Sequence, residues 1–396
     1  MRKSAEVVVV GGGIIGCSIA SELAGRGVEV VLLERAEIAH GASGRNHGLV
    51  YYPQNLLTDP LYKESYRIYR EMAAATELDF GMDEHSIGLV VLAGSDEEWA
   101  LAEAEAEVCR LGGVPVERWD QSQLRSAEPD VNDDFLGAWF IDDGYRVDPQ
   151  ALTLAFALQA RSRGADVVTH VDAKQIVVRD GAVKGVITDE GPIEARVVVI
   201  AAGPWAPKLA RTAGVELPIT GARGWLLLTR PPRPVCNHLV ESAGWHLISG
   251  DPGPPDVTVG GYGEGEATPT DIGLLLQPNA NGYLLMGGSR IASIREDPEG
   301  PEVARQIARL AVVAIPALAD VPIREVWSGV RPMSRDGLPL IGWAEEVEGL
   351  FIAGGHGGQG VMLGAGSGRL AAQMITKEDT FTDPGVFAVD RGSAPS

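Results

Sequence analysis

The chain has few cysteines, no long apolar run and little positive charge. Its three cysteines, Cys17, Cys109 and Cys236, form no CxxC pair, so neither a disulfide framework nor a zinc site is expected and a cytoplasmic location is favoured. No run of about 18 apolar residues is present, which predicts that the chain has no transmembrane helix. The 33 lysines and arginines are outnumbered by 54 acidic residues, and the net charge of −21 disfavours nucleic acid and anionic membranes as partners. A small-molecule partner is therefore favoured.

Glycine is abundant instead, with 50 residues among 396, and 25 prolines accompany it. Together with a hydrophobic content of 45% and a charged content of 22%, this composition predicts a folded protein with many tight turns. The length allows several domains, or two interleaved ones that share a large core.

The N-terminal sequence predicts a βαβ unit with a dinucleotide motif. Buried strands are predicted over residues 6–10 and 28–34, with a helix over 14–26 between them. Gly11, Gly13 and Gly16 form G-x-G-x-x-G at the strand-to-helix turn, where they allow the turn, the approach of a pyrophosphate and close helix packing. Glu34 ends the second strand, and its carboxylate suits ribose hydroxyls but repels a 2′-phosphate. A dinucleotide other than NADP is expected, while FAD and NAD both remain open on this motif.

The rest of the chain predicts further helices and a strand-rich region. Helices are predicted over residues 59–80 and 96–113, and a third begins at the N-cap Asp148. The Asp-Gly pair at residues 180–181 lies between two β-branched runs and predicts a hairpin.

Two segments show no regular pattern. The Gly/Pro-rich stretch over residues 249–271 is interpreted as a lid or as a surface excursion without a role. The polar tail after residue 377 is expected to be loosely ordered.

Four segments, taken in order, resemble the D-amino acid oxidase superfamily of FAD-dependent oxidoreductases, in the branch of glycine oxidase, sarcosine oxidase and hydroxyproline dehydrogenase. The resemblance spans most of the chain and is weakest over residues 226–321. The segments are "VVVVGGGIIGCSIASELAGRGVEVVLLER", "GASGRNHGLV", "VVVIAAGPWAP", and "WSGVRPMSRDGLPLIG" with "LFIAGGHGGQGVMLGAGSG".

The resemblance implies an α/β (α+β) fold made of two interleaved domains. A discontinuous Rossmann-like FAD-binding domain would comprise residues 1–84, 148–217 and 325–377. A substrate domain with a mixed, largely antiparallel sheet would be inserted as residues 85–147 and 218–324, followed by the tail over 378–396.

The resemblance also implies which residues contact FAD, with Val171 meeting the adenine through its backbone. The implied set is Gly11, Gly13, Ile14, Ile15, Gly16, Glu34, Arg35, Ser43, Arg45, Asn46, His47, Gly48, Leu49, Val171, Ala201, Ala202, Gly203, Trp205, Arg331, Gly357, Gly358, Gln359, Gly360, Val361 and Met362.

The glycine loop before the last predicted helix independently favours a flavin. Gly355, Gly357 and Gly360 also spell G-x-G-x-x-G, but no acidic residue closes a following strand, so a second nucleotide site is not predicted. The positive end of the helix would face the N1–C2=O edge of isoalloxazine, where negative charge develops on reduction.

FAD is expected to be bound non-covalently. The cysteine that attaches flavin in monomeric sarcosine oxidases is replaced by Gly329. The histidine that attaches it in dimethylglycine-oxidising relatives is replaced by Arg45, although His47 is two residues away.

Arg331, in "WSGVRP", matches the arginine that holds the substrate carboxylate in glycine oxidase-like enzymes. The alternative is a structural salt bridge to an acid such as Asp336. His47, His356 and Gln359 are candidates for hydrogen bonds to flavin or substrate, the alternative for each histidine being a structural role. Five aromatic side chains and one further histidine are candidates for lining a substrate pocket, the alternative being packing in the core or at an interface. They are Trp225, Tyr51, Tyr52, Trp245, His246 and Tyr262.

The implied function is oxidation of the C–N bond of an amino, imino or N-alkyl amino acid by hydride transfer to flavin N5, giving an imine that hydrolyses. The electron acceptor is oxygen or a quinone or redox partner, and both homo- and hetero-oligomers are open.

Met362 and a leucine replace two substrate-contacting residues of relatives, which weakens the case for sarcosine and glycine as substrates. The alternatives are a hydroxy-acid dehydrogenase and a flavin subunit of a hetero-oligomeric dehydrogenase.

Overall fold

The structure is a computed structural model, and it describes residues 2–52, 55–75, 78–243, 271–292 and 300–391. Residues 249–270 of the predicted loop lie outside the described residues, as do Trp245, His246 and Tyr262.

The described strands, in chain order, are β1 (Ser4–Val10), β2 (Val30–Leu33), β3 (Leu49–Val50), β4 (Leu89–Ala93), β5 (Val116–Asp120), β6 (Gly137–Ile141), β7 (Tyr145–Arg146), β8 (Asp166–Val168), β9 (Ala173–Arg179), β10 (Ala182–Thr188), β11 (Gly191–Ile200), β12 (Ile219–Thr229), β13 (Leu239–Ser242), β14 (Asp271–Pro278), β15 (Leu284–Arg290), β16 (Ile323–Ser334), β17 (Leu340–Trp343) and β18 (Leu350–Gly354). The described α-helices are α1 (Ile14–Gly25), α2 (Asp59–Ala75), α3 (Asp96–Leu111), α4 (Gln121–Ala127), α5 (Pro149–Ser162), α6 (Ala206–Ala210), α7 (Gly300–Ala314) and α8 (Gly360–Thr376).

The first sheet carries the predicted βαβ unit. Its order is β17-β18-β11-β1-β2-β8, with β1, β2, β8, β11 and β18 parallel and the β9–β10 arm attached to β11. Val7 and Val9 of β1 enter one core cluster and Val8 and Val10 the other, because both faces of this sheet are covered. The predicted N-cap of α5 is confirmed, since the Asp148 side chain accepts from the backbone of Gln150.

The second sheet is mostly antiparallel, in the order β16-β12-β15-β14-β13-β4-β6-β5, and α7 packs on β12, β14 and β15. β16 pairs with β12 along its whole length, with Arg331 opposite Ala222 and Gly329 opposite Gly224. The predicted FAD-binding domain includes residues 325–377. The first part of this segment belongs to β16 and therefore to the second sheet. The division into domains itself stays a prediction.

The C-terminal tail packs against the body of the protein. Phe387 is fully buried, and Arg391 donates from Nε and Nη2 to the carboxylate of Asp336 at 2.8 and 2.9 Å. The expectation of a loosely ordered tail is therefore wrong for residues 384–391, because one aromatic anchor and one bidentate ion pair hold them. Among the described residues, no helix combines the length and apolar character needed to cross a bilayer.

Candidate functional site

A large cavity lies where the carboxyl ends of the first-sheet strands meet the second sheet. The ends of β1, β2, β11 and β18 contribute one wall, and β12, β14, β15 and β16 contribute the other. Crevices at the carboxyl edge of a parallel sheet are the usual ligand sites of such folds, since strand ends and helix N-termini converge there.

The glycine motif shapes the nucleotide end of the cavity. Gly11 has φ +123°, and a Cβ on it would overlap the carbonyl of Ala201. A Cβ on Gly16 would overlap the carbonyl of Gly11, so this glycine lets α1 start directly against β1. Gly13 lies on the cavity wall and caps α1 without a side-chain hydrogen bond, which leaves the positive helix end facing the space.

The carboxylate of Glu34 is held rigidly by the backbone. Its Oε2 accepts from the N–H of Gly12 at 2.7 Å and its Oε1 from the N–H of Ala36 at 2.8 Å. The backbone N–H of Val171 donates to the carbonyl of Glu34 at 3.0 Å, and Val171 lies on the cavity wall, where its contact with adenine stays a prediction.

Arg35 and Trp205 lie together on the same part of the wall. The guanidinium carbon of Arg35 is 3.9 Å from the centroid of the Trp205 ring, a cation–π contact that fixes both side chains.

The segment "GASGRNHG" is folded by its own side chains. The Oγ of Ser43 accepts from the N–H of Ile14 at 2.9 Å and thereby ties the loop to the start of α1. Asn46 donates from Nδ2 to the carbonyls of Ala42 and Ser43, and its Oδ1 accepts from the N–H of Gly48 at 2.7 Å. Ser43 and Asn46 thus position the loop beside the cavity.

The second glycine loop leads into α8 at the opposite side of the cavity. α8 begins at Gly360 and has no side-chain cap at Gln359, so free N–H groups point toward the space. Gly357, Gly358 and residues 360–362 line the wall. All but three of the residues expected to contact FAD lie on this wall; the exceptions are Gly16, Gly48 and Gln359.

His47 and His356 both lie on the wall as neutral imidazoles. Burial lowers the pKa of His47 to about 3, and the nearby charge of Arg331 adds to this effect, while a hydrogen bond with the backbone of Leu275 opposes it. Burial also lowers the pKa of His356 to about 3, with a smaller contribution from Arg391. Neither ring can serve as a cationic acid at neutral pH, so each can act only through hydrogen bonds.

Each of the two histidines has one ring nitrogen without a hydrogen-bond partner among the described residues. The Nε2 of His356 lies 3.0 Å from the Oγ of Ser367, whereas its Nδ1 has no hydrogen-bond partner within the described residues. The Nε2 of His47 is buried and likewise has no partner among them. Both atoms are buried.

Arg331 reaches the cavity from β16. Its Nη1 donates to the carbonyl of Ser289 at 3.0 Å, and it can do so because the neighbouring β12 residue is Gly224, where a Cβ would overlap Nη1. The alternative of a salt bridge between Arg331 and Asp336 is wrong, because Asp336 pairs with Arg391.

Arg290 is the main wall residue that the sequence analysis missed. It ends β15, and its side chain is buried at the cavity. The sequence signal that could have identified it is a single arginine at the end of a strand made of apolar and small residues, "LLMGGSR". Leu226 and Leu275 add apolar surface nearby, and of the aromatic candidates within the described residues Tyr51 lines the wall whereas Tyr52 and Trp225 do not.

A glycine cradle at the edge of a parallel sheet, a fixed acidic residue after β2 and a helix start facing the far end of the cavity are together typical of a flavin-dependent oxidoreductase. The chain belongs to the FAD dependent oxidoreductase family, whose model matches residues 6–374. FAD is the cofactor, and the predicted fold class and enzyme class are confirmed.

Known relatives match nearly the whole chain. Glycine oxidase from Geobacillus kaustophilus is 26% identical over 400 residues, which cover 99% of this chain and 98% of that protein. The crystal structure of glycine oxidase from the same organism has a TM-score of 0.82 and 25% identity, covering 98% of this chain and 99% of the other. L-Proline dehydrogenase from P. horikoshii has a TM-score of 0.84 and 26% identity, covering 99% of both chains.

Proposed function

We propose that this FAD-dependent oxidoreductase oxidises the C–N bond of an amino, imino or N-alkyl amino acid whose carboxylate binds Arg331. The observation that carries the proposal is the position of Arg331 on the wall of the FAD cavity. A planar guanidinium suits a carboxylate because it offers two parallel hydrogen bonds and stays charged. The relatives named for glycine oxidation and proline dehydrogenation act on substrates of this kind.

When bound, FAD supplies the hydride acceptor at N5 of its flavin ring. The chain's own contribution is orientation: Arg331 anchors the carboxylate, and Leu226, Leu275 and Tyr51 enclose the substrate and exclude water. The start of α8 has N–H groups and a positive helix end that would stabilise the negative charge that develops on the flavin when it is reduced.

The proposed chemistry requires no strong base from the chain. The carboxylates on the described part of the wall are Glu34 and Asp172, and Glu34 is held by backbone N–H groups at the nucleotide end. The pKa of about 3 makes the buried His47 and His356 weak bases. We therefore expect the substrate to react with its amine already uncharged.

The first experiment is an anaerobic titration of the purified protein followed by the flavin absorption band. The panel contains D- and L-amino acids, cyclic imino acids, N-methyl amino acids and the matching hydroxy acids. Bleaching by one amine class supports the proposal and names the substrate family. Bleaching by hydroxy acids alone would instead establish the dehydrogenase alternative, and bleaching by no compound would favour a subunit that needs a partner.

Arg331→Lys tests the carboxylate anchor. The lysine keeps the charge but loses the bidentate fork, so kcat/KM for the amine found above is expected to fall roughly 10- to 100-fold. Arg324→Gln, on the exposed part of the same strand and away from the cavity wall, is the matched control. An unchanged kcat/KM in Arg331→Lys would remove Arg331 from the substrate site.

We also propose that FAD is held without a covalent bond. The three cysteines are buried away from the cavity wall, and Gly329 occupies the wall beside Arg45. Acid precipitation of the protein is expected to release all flavin into the supernatant. Flavin that stays with the pellet would point to His47 as an attachment site.

A further inference from the structure

Tyr69 of α2 reaches the first turn of α8. Its side chain is fully buried and packs edge-on against the ring of Phe156, with the ring centroids 6.0 Å apart. Its hydroxyl donates to the backbone carbonyl of Val361 at 2.6 Å. A Cβ on Gly364 would lie 3.2 Å from the hydroxyl oxygen, so a glycine of α8 leaves room for this approach. A side chain of α2 is thus hydrogen-bonded to the backbone of the helix that begins at the cavity.

The carbonyl that accepts this bond is connected to the cavity through its own peptide unit. The carbonyl of Val361 and the N–H of Met362 are the two ends of one planar amide, and both residues line the cavity wall. In an α-helix the N–H end of each amide points toward the N-terminus, and the first N–H groups have no acceptor within the helix. The N–H of Met362 therefore points toward the cavity end of α8, while Tyr69 binds the opposite end of the same amide.

Tyr69 belongs to a chain of hydrogen bonds that runs in one direction. The Oγ of Ser65, one turn earlier on α2, accepts from the N–H of Gly366 at 2.8 Å, and the Ser65 hydroxyl bonds to that of Tyr69. Burial raises the pKa of Tyr69, and the backbone of Ala365 and the hydroxyl of Ser65 oppose this effect only in part. The phenol is therefore protonated at neutral pH and donates to the Val361 carbonyl at the end of the chain.

Such a chain strengthens the amide at its end. Hydrogen bonds in series polarise one another by about 10–30% per bond, and the low dielectric of a buried site preserves the effect. A polarised Val361–Met362 amide has a more positive N–H, and that N–H lies in the helix turn that faces the cavity. A more positive donor at this place stabilises negative charge on a reduced flavin.

We propose that Tyr69 is a positioning residue that makes the bound flavin a better oxidant by polarising the Val361–Met362 amide at the start of α8. The inference rests on the proposed function for one point, the flavin ring at the start of α8, and does not depend on the substrate. It adds a residue outside the cavity wall that sets the driving force for hydride transfer.

The test measures the midpoint potential of bound FAD in Tyr69→Phe, by anaerobic reduction beside a dye of known potential. The substitution removes one oxygen atom and the bond to Val361. The equilibrium constant for reduction is expected to fall about three- to tenfold, which lowers the potential of a two-electron couple by about 14–30 mV. An unchanged potential would overturn the inference.

Tyr62→Phe is the matched control. It removes the same atom from a second buried tyrosine of α2, whose hydroxyl donates to Asp143 at 2.6 Å and not to α8. Its potential is expected to equal that of the unsubstituted protein. A shift as large as in Tyr69→Phe would assign the effect to the loss of any buried hydroxyl on this helix, and would overturn the inference.

Replacement of Tyr69 by 3-fluorotyrosine tests the same bond with the opposite sign. The fluorine atom makes the phenol more acidic and therefore a stronger hydrogen-bond donor, while the contact between α2 and α8 is kept. The potential is expected to rise, whereas a residue that only docks the two helices would leave it unchanged. This variant also decides the question if Tyr69→Phe does not fold, because an unchanged or lower potential would overturn the inference.

The midpoint potential is measured without substrate, so the two proposals can fail separately. A potential that depends on Tyr69, in a protein whose flavin no amine bleaches, would support the role of Tyr69 and reject C–N oxidation. Bleaching by one amine class, with the same potential in Tyr69→Phe and the unsubstituted protein, would support C–N oxidation and reject the role of Tyr69.

Discussion

At the scale of single residues, Gly224 determines where the guanidinium of Arg331 can lie. The position faces Nη1 of Arg331 and the carbonyl of Ser289, and a Cβ there would overlap the first and lie 2.9 Å from the second. The absence of a side chain on β12 is therefore part of the proposed substrate site.

Gly224→Ala is expected to displace Arg331 and to raise the apparent KM for the carboxylate substrate roughly tenfold or more, since an oriented charged hydrogen bond is lost. FAD content is expected to stay near one per chain. Gly342→Ala is the control, because its Cβ would meet its nearest neighbours at an ordinary 3.6 Å. An unchanged KM in Gly224→Ala would show that Arg331 does not need its present position.

The neutral state of His356 makes the fold sensitive to acid. Its pKa is lowered from 6.5 to about 3 on folding, so the unfolded chain takes up the proton first as the pH falls. The free energy of unfolding is therefore unaffected by His356 above pH 6.5. It falls progressively as the pH drops from 6.5 to 3, because only the unfolded chain binds the proton in this range.

His356→Asn is expected to reduce the loss of unfolding free energy between pH 7 and pH 5 by about 2 kcal/mol. The measurement is denaturant unfolding at the two pH values. His85→Asn, at an exposed loop position, is expected to leave the difference between the two pH values unchanged. The same pH dependence in His356→Asn and the unsubstituted protein would show that His356 is not the group that titrates.

At the scale of elements, α8 is held by close contacts along its glycines. A Cβ on Gly364 would crowd Ile14, one on Gly366 would overlap the carbonyl of Leu61, and one on Gly368 would overlap Ser18. α8 therefore packs directly against α1 and α2. This contact holds the N-terminal end of α8 beside the flavin cavity.

Gly368→Ala is expected to destabilise the protein by about 1–3 kcal/mol through overpacking, although alanine is the better helix former. Ser18→Gly removes the two nearest atoms that the new methyl group meets, the Oγ and Cβ of Ser18, so the double variant is expected to be more stable than the sum of the single effects predicts. Denaturant unfolding of the four proteins measures the coupling. Strictly additive changes in the free energy of unfolding would show that α1 and α8 can move apart to accommodate the new methyl group.

At the scale of the whole molecule, the C-terminal segment packs against the core and the loop after β16. Phe387 enters the main core cluster beneath the first sheet, and Arg391 clamps the loop after β16 through Asp336. The end of the chain thereby supports the strand that carries Arg331.

Phe387→Ala is expected to lower the free energy of unfolding by about 3–5 kcal/mol, because a fully buried ring is removed. Phe381→Ala removes a partly exposed ring of the same tail and is expected to change stability by roughly 0.5 kcal/mol. Equal effects of the two substitutions would mean that the tail contributes no specific packing.

The sequence by itself determined the features that depend on neighbouring residues. The strand, turn and helix around Gly11 and Gly16 follow from local backbone requirements, and the N-cap at Asp148 follows from hydrogen bonds within one turn. The order of the glycine motifs along the chain also predicted the family and its cofactor.

Tertiary structure alone decided the features that join distant segments. Arg290, Arg331 and Gly358 meet because three separate elements converge at the cavity, and no local pattern encodes that distance. The neutral histidines likewise depend on burial by the whole chain, and the ion pair between Arg391 and Asp336 spans 55 residues. Charge compensation and burial are sums over all packed neighbours, so only the folded molecule defines them.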